Sequence, residues 1–211
     1  MFSPQSFKET RINILHQLIK RRPLGVLSAI IDDEIIVNHI PFVLEEKEGE
    51  FGVLQCHVAR ANPVWKGLSQ QKEVVVIFQG ENSYISPSWY PSKQEHGKVV
   101  PTWNYIAVQA RGLPKVIEDR HWLLAHVSTL SDAHESVMKE PWKVADAPAE
   151  YINKLTNAIV GIEIPITALN GTWKLSQNRS KDDQVGVIEN LESQTDANAR
   201  SIAKALKSRM K

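Results

Sequence analysis

Strand-like apolar runs fill much of the first half of the chain, and they lack the regular helical spacers of a parallel sheet. Runs at 24–30, 35–44, 51–58 and 73–80 are joined mostly by short polar connections, such as the turn signal Asp32-Asp33. Short connections favour antiparallel neighbours, because parallel strands need a long crossover. We therefore expect a meandering antiparallel sheet and not a Rossmann-type sheet.

Helical spacing of apolar residues surrounds this sheet-forming region. A helix is predicted from Phe7 to just before Pro23, where the proline stops it. The second half brings more helices and one late strand, without internal repeats. The other predicted elements are a short helix at 61–68, a strand at 102–117, helices at 119–135 and 147–159, a strand at 160–175, and helices at 181–194 and 196–211. This order predicts an α+β fold, a small antiparallel barrel with peripheral helices.

Length and charge limit the class of protein. The chain has 211 residues, which suits one domain or one domain with a small appendage. Its net charge is +1, without the overall basic excess typical of sequence-independent nucleic-acid binding. Cys56 is the single cysteine, so no internal disulfide is possible, and we expect a reducing compartment. No leader peptide or membrane span is predicted, which indicates a cytoplasmic protein.

Several common catalytic and binding motifs are absent from the sequence. It contains no GxGxxG, GxxxxGK[ST] or GxSxG motif. His121 and His126 are five residues apart on a predicted helix, so they do not share a face, and no metal site is predicted. Cys56 is interpreted as a small buried apolar residue rather than a nucleophile.

The segment 84–105, YISPSWYPSKQEHGKVVPTWNY, is unusually rich in rings and prolines and fits neither a regular strand nor a regular helix. Trp89 and Trp103 stand among Ser86, Lys98 and other polar residues. One interpretation is that the rings seal a barrel mouth or a subunit interface. The other is a slot for a planar ligand, with prolines fixing the backbone.

A second polar group lies in HVARANPVW, residues 57–65. His57, Arg60 and Asn62 directly precede a predicted helix start, and imidazole, guanidinium and amide groups suit an anion. Asn62 could equally be a helix cap, and Arg60 a surface ion-pair partner. Asn38, in the otherwise apolar run NHIPF, also needs a polar partner, either a ligand or a structural network.

A third polar cluster follows the last predicted strand, in KLSQNRSKDDQVGV (174–187). Gln177 and Arg179 there form either an ordinary turn, with Ser180 capping the next helix, or a lid over a ligand. A planar heterocycle that lies on the aromatic segment and places a phosphate at Arg60 would contact both the aromatic segment and the polar residues of HVARANPVW. Flavin mononucleotide (FMN) fits that description.

Together, HVARANPVW, SPSWYPSKQEHGKVVPTWNY and KLSQNRSKDDQVGVIENL resemble the PaiB family of FMN-binding negative transcriptional regulators. The opening helix and NHIPF also match, so the resemblance covers nearly the whole chain. It implies an antiparallel split β-barrel similar to pyridoxamine-phosphate-oxidase-like flavoproteins, which are usually homodimers with FMN between subunits. One departure is Gln109, where family members often have a histidine.

The resemblance implies roles that the residues alone leave open. Arg60, Asn62 and His57 would face the phosphate, and Trp89, Trp103 and Lys98 the ring or cleft wall. The expected organisation is a split-barrel domain at 1–175 and a helical extension at 176–211. The full set of predicted cofactor-binding residues is Asn38, His57, Arg60, Asn62, Ser86, Trp89, Lys98, Trp103, Gln177 and Arg179.

Three functions remain open from the sequence. The first is an FMN-binding repressor, for which direct DNA contact could involve only the basic terminal helix with Arg200, Lys204, Lys207, Arg209 and Lys211. The second is an FMN-dependent oxidoreductase or flavin reductase. The third is a dimeric interaction module that binds no flavin.

Overall fold

The computed structural model describes residues 2–70 and 72–210, and these form two compact units. The terminal unit comprises residues 2–15, 79–108 and 170–210, and the central unit comprises 16–70, 72–78 and 109–169. Three long strands contribute residues to both units. The predicted division into 1–175 and 176–211 stays a prediction, because a compact unit need not fold by itself.

The strands in chain order include two long hairpin partners and three very long strands. They are β1 (Lys8–Glu9), β2 (Leu24–Ile31), β3 (Glu34–Pro41), β4 (Val43–Glu45), β5 (Val53–Ala59), β6 (Val74–Ile85), β7 (Thr102–Gly112), β8 (Lys115–Ile117) and β9 (Ile159–Lys174).

The helices flank the strands in sequence, as expected. They are α1 (Ile12–Arg21), α2 (Val64–Leu68), α3 (Ser92–His96), α4 (Arg120–Glu135), α5 (Ala149–Asn157), α6 (Lys181–Glu192) and α7 (Ala197–Lys207).

Among the described residues, strands pair in the order β3-β2-β6-β7-β9-β5-β4, with β1 and β8 also on β9. The β2–β3 hairpin is antiparallel, with Leu27 opposite Asn38, and its turn uses Asp32 and Asp33 at positive φ, 50° and 63°. β5 pairs antiparallel with β9, with His57 opposite Gly161. The antiparallel α+β arrangement predicted from the sequence is confirmed.

The core of the central unit follows the alternating burial of its strands. Leu27, Leu54 and Phe78 are fully buried on strands β2, β5 and β6. Phe42 meets Phe78 edge to face, with ring centroids 5.6 Å apart. Burying a large apolar side chain contributes about 1.5–3 kcal/mol, so this alternation fixes which face of each strand points inward.

The core of the terminal unit lies under its two C-terminal helices. Leu191 on α6 and Ile202 and Leu206 on α7 are fully buried, at the spacing of one helix face. Leu175 and Tyr90 are buried in the same unit. The residues after the last strand therefore contribute to a packed core.

Four predicted boundaries differ from the structure. The first helix begins at Ile12 and not Phe7, because Lys8 and Glu9 pair with Thr172 and Gly171 on β9. The predicted strand 35–44 breaks at Phe42, whose N–H donates to Pro23 O at 2.9 Å.

The other two differences concern longer segments. The predicted strand 102–117 ends at Gly112, and β8 begins only after Pro114, which cannot donate a ladder hydrogen bond. The strand predicted at 73–80 continues to Ile85, and the aromatic segment then forms a 3-10 turn, Pro87–Trp89, and α3. Regular structure therefore occupies much of a segment that was predicted to be irregular.

Candidate functional site

In the central unit, Asn62 and Asn38 join the start of α2 to β3. Asn62 Oδ1 accepts a hydrogen bond from the N–H of Val64, the first residue of α2, at 3.0 Å. Asn62 Nδ2 donates to Asn38 Oδ1 at 2.9 Å. The polar group in the apolar run NHIPF thus has a structural partner, and the residue at the N-cap position of α2 is Pro63.

Arg60 follows directly after β5 and lies at the surface, with 40% of its side chain exposed. Its Nη1 donates to Glu118 Oε2 at 2.5 Å, and its Nε and Nη2 donate to the carbonyls of Asn157 and Ile159. A guanidinium carries five N–H groups, so two remain for another acceptor. Arg60 therefore has the ion-pair role considered for it and keeps donors for a ligand.

His57 on β5 pairs with His126 on α4, a residue that the sequence did not single out as functional. Its Nδ1 lies 3.1 Å from His126 Nε2, and Trp122 stacks on the His126 ring at 5.1 Å between centroids. His126 is 2% exposed, and its Nδ1 has no hydrogen-bond partner among the described residues. Burial lowers the pKa of His57 and, with His57 beside it, lowers the pKa of His126 to about 4.

A cleft of about 390 Å³ opens beside Asn62 in the central unit. It lies between the β2–β3 turn and α2 and carries both acidic and basic groups. Its lining residues are Ile31, Asp32, Glu34, Ile36, Asn62, Pro63, Val64, Lys66, Gly67 and Gln70. Four predicted cofactor-binding residues belong to the central unit, Asn38, His57, Arg60 and Asn62, and of these four Asn62 alone lines the cleft.

In the terminal unit, the aromatic segment borders a cleft of about 350 Å³. Tyr84 and Trp103 meet edge to face at 6.0 Å, and both rings are about half exposed, at 45% and 54%. Trp89 completes the aromatic wall. The remaining lining residues are polar: Asn82, Ser83, Gln194, Asp196 and Asn198. Asn82 and Tyr84 were not predicted although they stand just before and at the start of the aromatic segment, and Gln194, Asp196 and Asn198 were not predicted because they are distant from it in sequence.

The backbone of Trp89 is held closely by α6. A Cβ added at Gly186 would lie 2.2 Å from Trp89 O, so only glycine allows this approach. Asp183, which is 4% exposed, accepts hydrogen bonds from Ser92 N at 3.1 Å and Ser92 Oγ at 2.8 Å. The aromatic segment is therefore attached to α6 at two points.

Ser86 and Lys98 lie at the two ends of this turn and helix. Ser86 Oγ accepts from Ser88 N at 3.2 Å and so caps the 3-10 turn. Lys98 donates its backbone N–H to His96 Nδ1 at 3.0 Å, and its side chain is exposed. Neither residue lines the cleft with Trp89 and Trp103.

Gln177 and Arg179 occupy the turn after β9. Gln177 accepts from Leu175 N at 2.7 Å and donates to Trp173 O at 2.5 Å, so its amide braces the turn in which Ser176 has a φ of 63°. The Arg179 guanidinium lies 4.8 Å from the ring centre of Tyr90, a cation–π contact. The Tyr90 hydroxyl is buried without a hydrogen-bond partner among the described residues.

Within 2–70 and 72–210, no three His, Cys, Asp or Glu side chains lie close enough together to hold a metal ion. In the same ranges, no helix combines the length and the apolar character needed to cross a bilayer. Cys56 is buried, which raises the pKa of its thiol, as expected for a core residue.

Residues 1–168 match the family model described as "Putative FMN-binding domain". The Protease synthase and sporulation protein PAI 2 of Bacillus subtilis is 28% identical, over 100% of this chain and 99% of its own. An uncharacterized protein of Emericella nidulans is 39% identical, covering 87% of each chain.

Among solved structures, the FAD- and heme-binding protein of Mycobacterium smegmatis matches with a TM-score of 0.60 and 15% identity, over 84% of this chain and 78% of that one. The flavocytochrome Anf3 of Azotobacter vinelandii matches with a TM-score of 0.57 and 12% identity, over 79% and 69%. At these identities the likeness concerns the fold. The predicted antiparallel split β-barrel with peripheral helices is confirmed.

Proposed function

Since the chain belongs to the PaiB family of FMN-binding domain proteins, we propose that it binds FMN and acts as a negative regulator of gene expression. The observation that carries the proposal is the match of residues 1–168 to a family model for FMN binding, together with the full-length relative in Bacillus subtilis. A homodimer in the cytoplasm, with the flavin bound between subunits, is part of the same proposal.

The aromatic segment supplies groups that suit the isoalloxazine ring. Trp89 and Trp103 offer flat apolar surface, and neighbouring amides offer hydrogen bonds to the polar edge of a heterocycle. Asp183 and Gly186 attach this segment to α6, so the rings are held before a ligand arrives. A wall ordered in advance reduces the entropy lost on binding. The chemistry of these residues fits a planar cofactor.

Arg60 is the proposed phosphate ligand, with Asn62 and His57 near it in sequence. Its two uncommitted N–H groups suit an oxyanion. Glu118 is 55% exposed, and exposed ion pairs contribute about 0–1 kcal/mol, so a doubly charged phosphate can replace its carboxylate on Arg60. FMN, when bound, would supply the redox chemistry, and the protein would bind and orient it.

The terminal helix gives limited support for direct DNA contact. Lys207 pairs with Glu192 at 2.7 Å, and Arg209 pairs with buried Glu9. Arg200 donates to the carbonyls of Gln194 and Thr195, and Lys211 lies outside the described residues. Much of the positive charge predicted for phosphates is therefore neutralised or engaged within the chain, and regulation through another protein agrees better with this arrangement.

The second candidate function is an FMN-dependent oxidoreductase or flavin reductase. The observation in its favour is the exposure of Tyr84 and Trp103, since an open aromatic wall leaves room for a substrate beside a planar cofactor. Turnover of NADH or NADPH by flavin-loaded protein would support it. No turnover with either donor and common acceptors would count against it.

The test of flavin binding is the visible absorption spectrum of the purified protein, before and after addition of FMN and desalting. We expect a flavin band that stays with the protein. A colourless protein that retains no added FMN would refute the proposal and favour the interaction module. DNA binding is tested separately, by titrating target DNA at several salt concentrations, because phosphate contacts weaken steeply with salt.

A further inference from the structure

A cleft of about 530 Å³ lies in the terminal unit, and none of its lining residues lines the cleft of the aromatic segment. Two of its lining residues are arginines and three are apolar. The lining residues are Arg11, Ile14, Trp173, Gln177, Ala205, Ser208 and Arg209. Clefts of about 300–1,000 Å³ are the usual size for small-molecule ligands.

Strand pairing and the ends of two helices bring these residues together. Glu9 on β1 lies opposite Gly171 on β9, and Trp173 is two residues further along the same strand, on the same face. A Cβ at Gly171 would lie 2.9 Å from Glu9 O and 2.8 Å from the Trp173 ring, so glycine allows this close pairing. Arg11 directly precedes α1, whose Ile14 donates its backbone N–H to Arg11 O at 2.9 Å, and Ser208 and Arg209 directly follow α7, which carries Ala205.

Glu9 is a buried carboxylate, with 4% exposure, and it pairs with both arginines that line this cleft. Arg11 binds it with two parallel hydrogen bonds, Nε to Oε1 at 2.8 Å and Nη2 to Oε2 at 2.6 Å. Arg209 Nη2 also donates to Oε2. The hydrogen bonds from Arg11 hold the pKa of Glu9 at about 2, so its charge is present throughout the physiological range.

Two guanidinium groups on one carboxylate leave an excess positive charge in the cleft. Glu9 accepts two N–H groups from the Arg11 side chain and one from Arg209, and each guanidinium has five. The same buried acceptor holds Arg11 by two hydrogen bonds and Arg209 by one. Fixed guanidinium donors with spare N–H groups are well suited to carboxylate and phosphate oxygens.

The other walls do not compete for an anion. Among the described residues that line the cleft, none is acidic. Gln177 uses its amide on Leu175 N and Trp173 O, and Ser208 donates to Ala205 O at 2.7 Å. Trp173 and Ile14 offer apolar surface next to the charged end.

We propose that this cleft binds the oxyanion group of a small molecule, a phosphate monoester or a carboxylate, through Arg11 and Arg209, at a site separate from the flavin. The apolar part of the ligand lies against Trp173 and Ile14. Glu9 acts as a positioning residue, since it orients both guanidinium groups and does not touch the ligand.

The test is calorimetric titration of the full chain with two probes, inorganic phosphate and succinate, at constant ionic strength set with sodium chloride. We expect saturable binding of one or both probes, and the tighter one identifies whether phosphate or carboxylate is the natural group. Binding no stronger than that of chloride would overturn the proposal.

Two variants and a matched control locate the site. Arg11→Gln removes one charge from a side chain that is 63% exposed, and it should weaken probe binding about tenfold or more. Ala205→Glu places a negative charge and extra volume in the cleft while Glu9, Arg11 and Arg209 are all retained, and it should have a similar effect. Arg111→Gln removes a surface arginine paired with Glu73 in the central unit and should change nothing. Equal affinity in all three variants would refute the assignment.

Discussion

His57 and His126 share one hydrogen bond across β5 and α4, with His57 Nδ1 3.1 Å from His126 Nε2. One ring must donate and the other accept, so the two imidazoles cannot both be protonated while the bond is kept. His126 Nδ1 faces no acceptor among the described residues, and burial lowers the pKa of His126 to about 4. Protonation of His126 in the folded protein therefore places a charge in a buried contact between the helix and the strand, at a cost in free energy.

Stability should consequently fall in mild acid. The unfolded chain binds the proton near the ordinary histidine pKa of about 6.5, and the folded chain resists it until about 4. The contribution is fully present above about pH 6.5 and is lost progressively as the pH falls through 4, by up to about 3 kcal/mol for His126. Urea unfolding at pH 7.5, 6, 5 and 4.5 measures this loss.

His126→Phe should flatten this part of the pH profile, because phenylalanine keeps a buried ring and takes up no proton. The matched control is His121→Gln, which changes an exposed histidine of the same helix. An unchanged slope between pH 6.5 and 4.5 in His126→Phe would show that other groups cause the acid sensitivity.

Arg60 and Glu118 should affect FMN affinity in opposite directions. Arg60→Ala removes the proposed phosphate ligand and should weaken FMN binding by roughly 1.5–3 kcal/mol. Glu118→Gln removes the carboxylate that competes for Arg60 at 2.5 Å and should tighten binding by a factor of about two to five. Fluorescence titration of FMN against each variant gives the dissociation constants.

Riboflavin provides the control for this pair of variants, since it has the same ring and no phosphate. Its affinity should be insensitive to both changes. If FMN binds Arg60→Ala as tightly as the unaltered protein, Arg60 does not hold the phosphate, and its contacts with Glu118, Asn157 and Ile159 are its whole role.

Asp183 and Ser92 should be energetically coupled. Asp183→Ala leaves Ser92 N and Oγ without their acceptor and exposes a buried cavity, so we expect a loss of about 1–3 kcal/mol in the free energy of unfolding. Ser92→Ala removes one of the two hydrogen bonds and should cost less. A double-mutant cycle by urea unfolding should give a coupling of about 0.5–3 kcal/mol, and strictly additive losses would contradict a direct interaction.

The sequence predicted the strands of the central unit well because their burial alternates locally. β2 and β5 follow the apolar runs at 24–30 and 51–58 closely. The predicted start of α1 was wrong because Lys8 and Glu9 pair with β9 residues that are more than 160 positions away. Local periodicity gives no sign of such a distant pairing. The turn before Pro114 had a signal, the sequence Gly112-Leu113-Pro114, that a closer interpretation would have used.

The candidate site was predictable only in part, for the same reason. Asn62 was recognised as a cap candidate from the residues that follow it, and its side chain does accept a hydrogen bond from Val64 N at the start of α2, where the N-cap position is held by Pro63. The partner of His57 is His126, and Arg209 meets Glu9 from the far end of the chain. Contacts of this kind depend on the topology of the sheet, which periodicity does not specify.

Addition of one methyl group at Gly186 should lower both the stability of the protein and its affinity for FMN. Gly186→Ala would normally stabilise a helix by about 1 kcal/mol, but its Cβ would lie 2.2 Å from the carbonyl oxygen of Trp89. The backbone of the aromatic segment would have to move, and overpacking of this kind costs about 1–3 kcal/mol. Because Trp89 is part of the proposed ring wall, FMN affinity should fall together with the urea midpoint.

Val185→Ala, on the same helix with a side chain 43% exposed, is the control. A Gly186→Ala protein with higher stability and full FMN affinity would show that α6 and the aromatic segment separate easily, and that the wall is not fixed before the ligand binds.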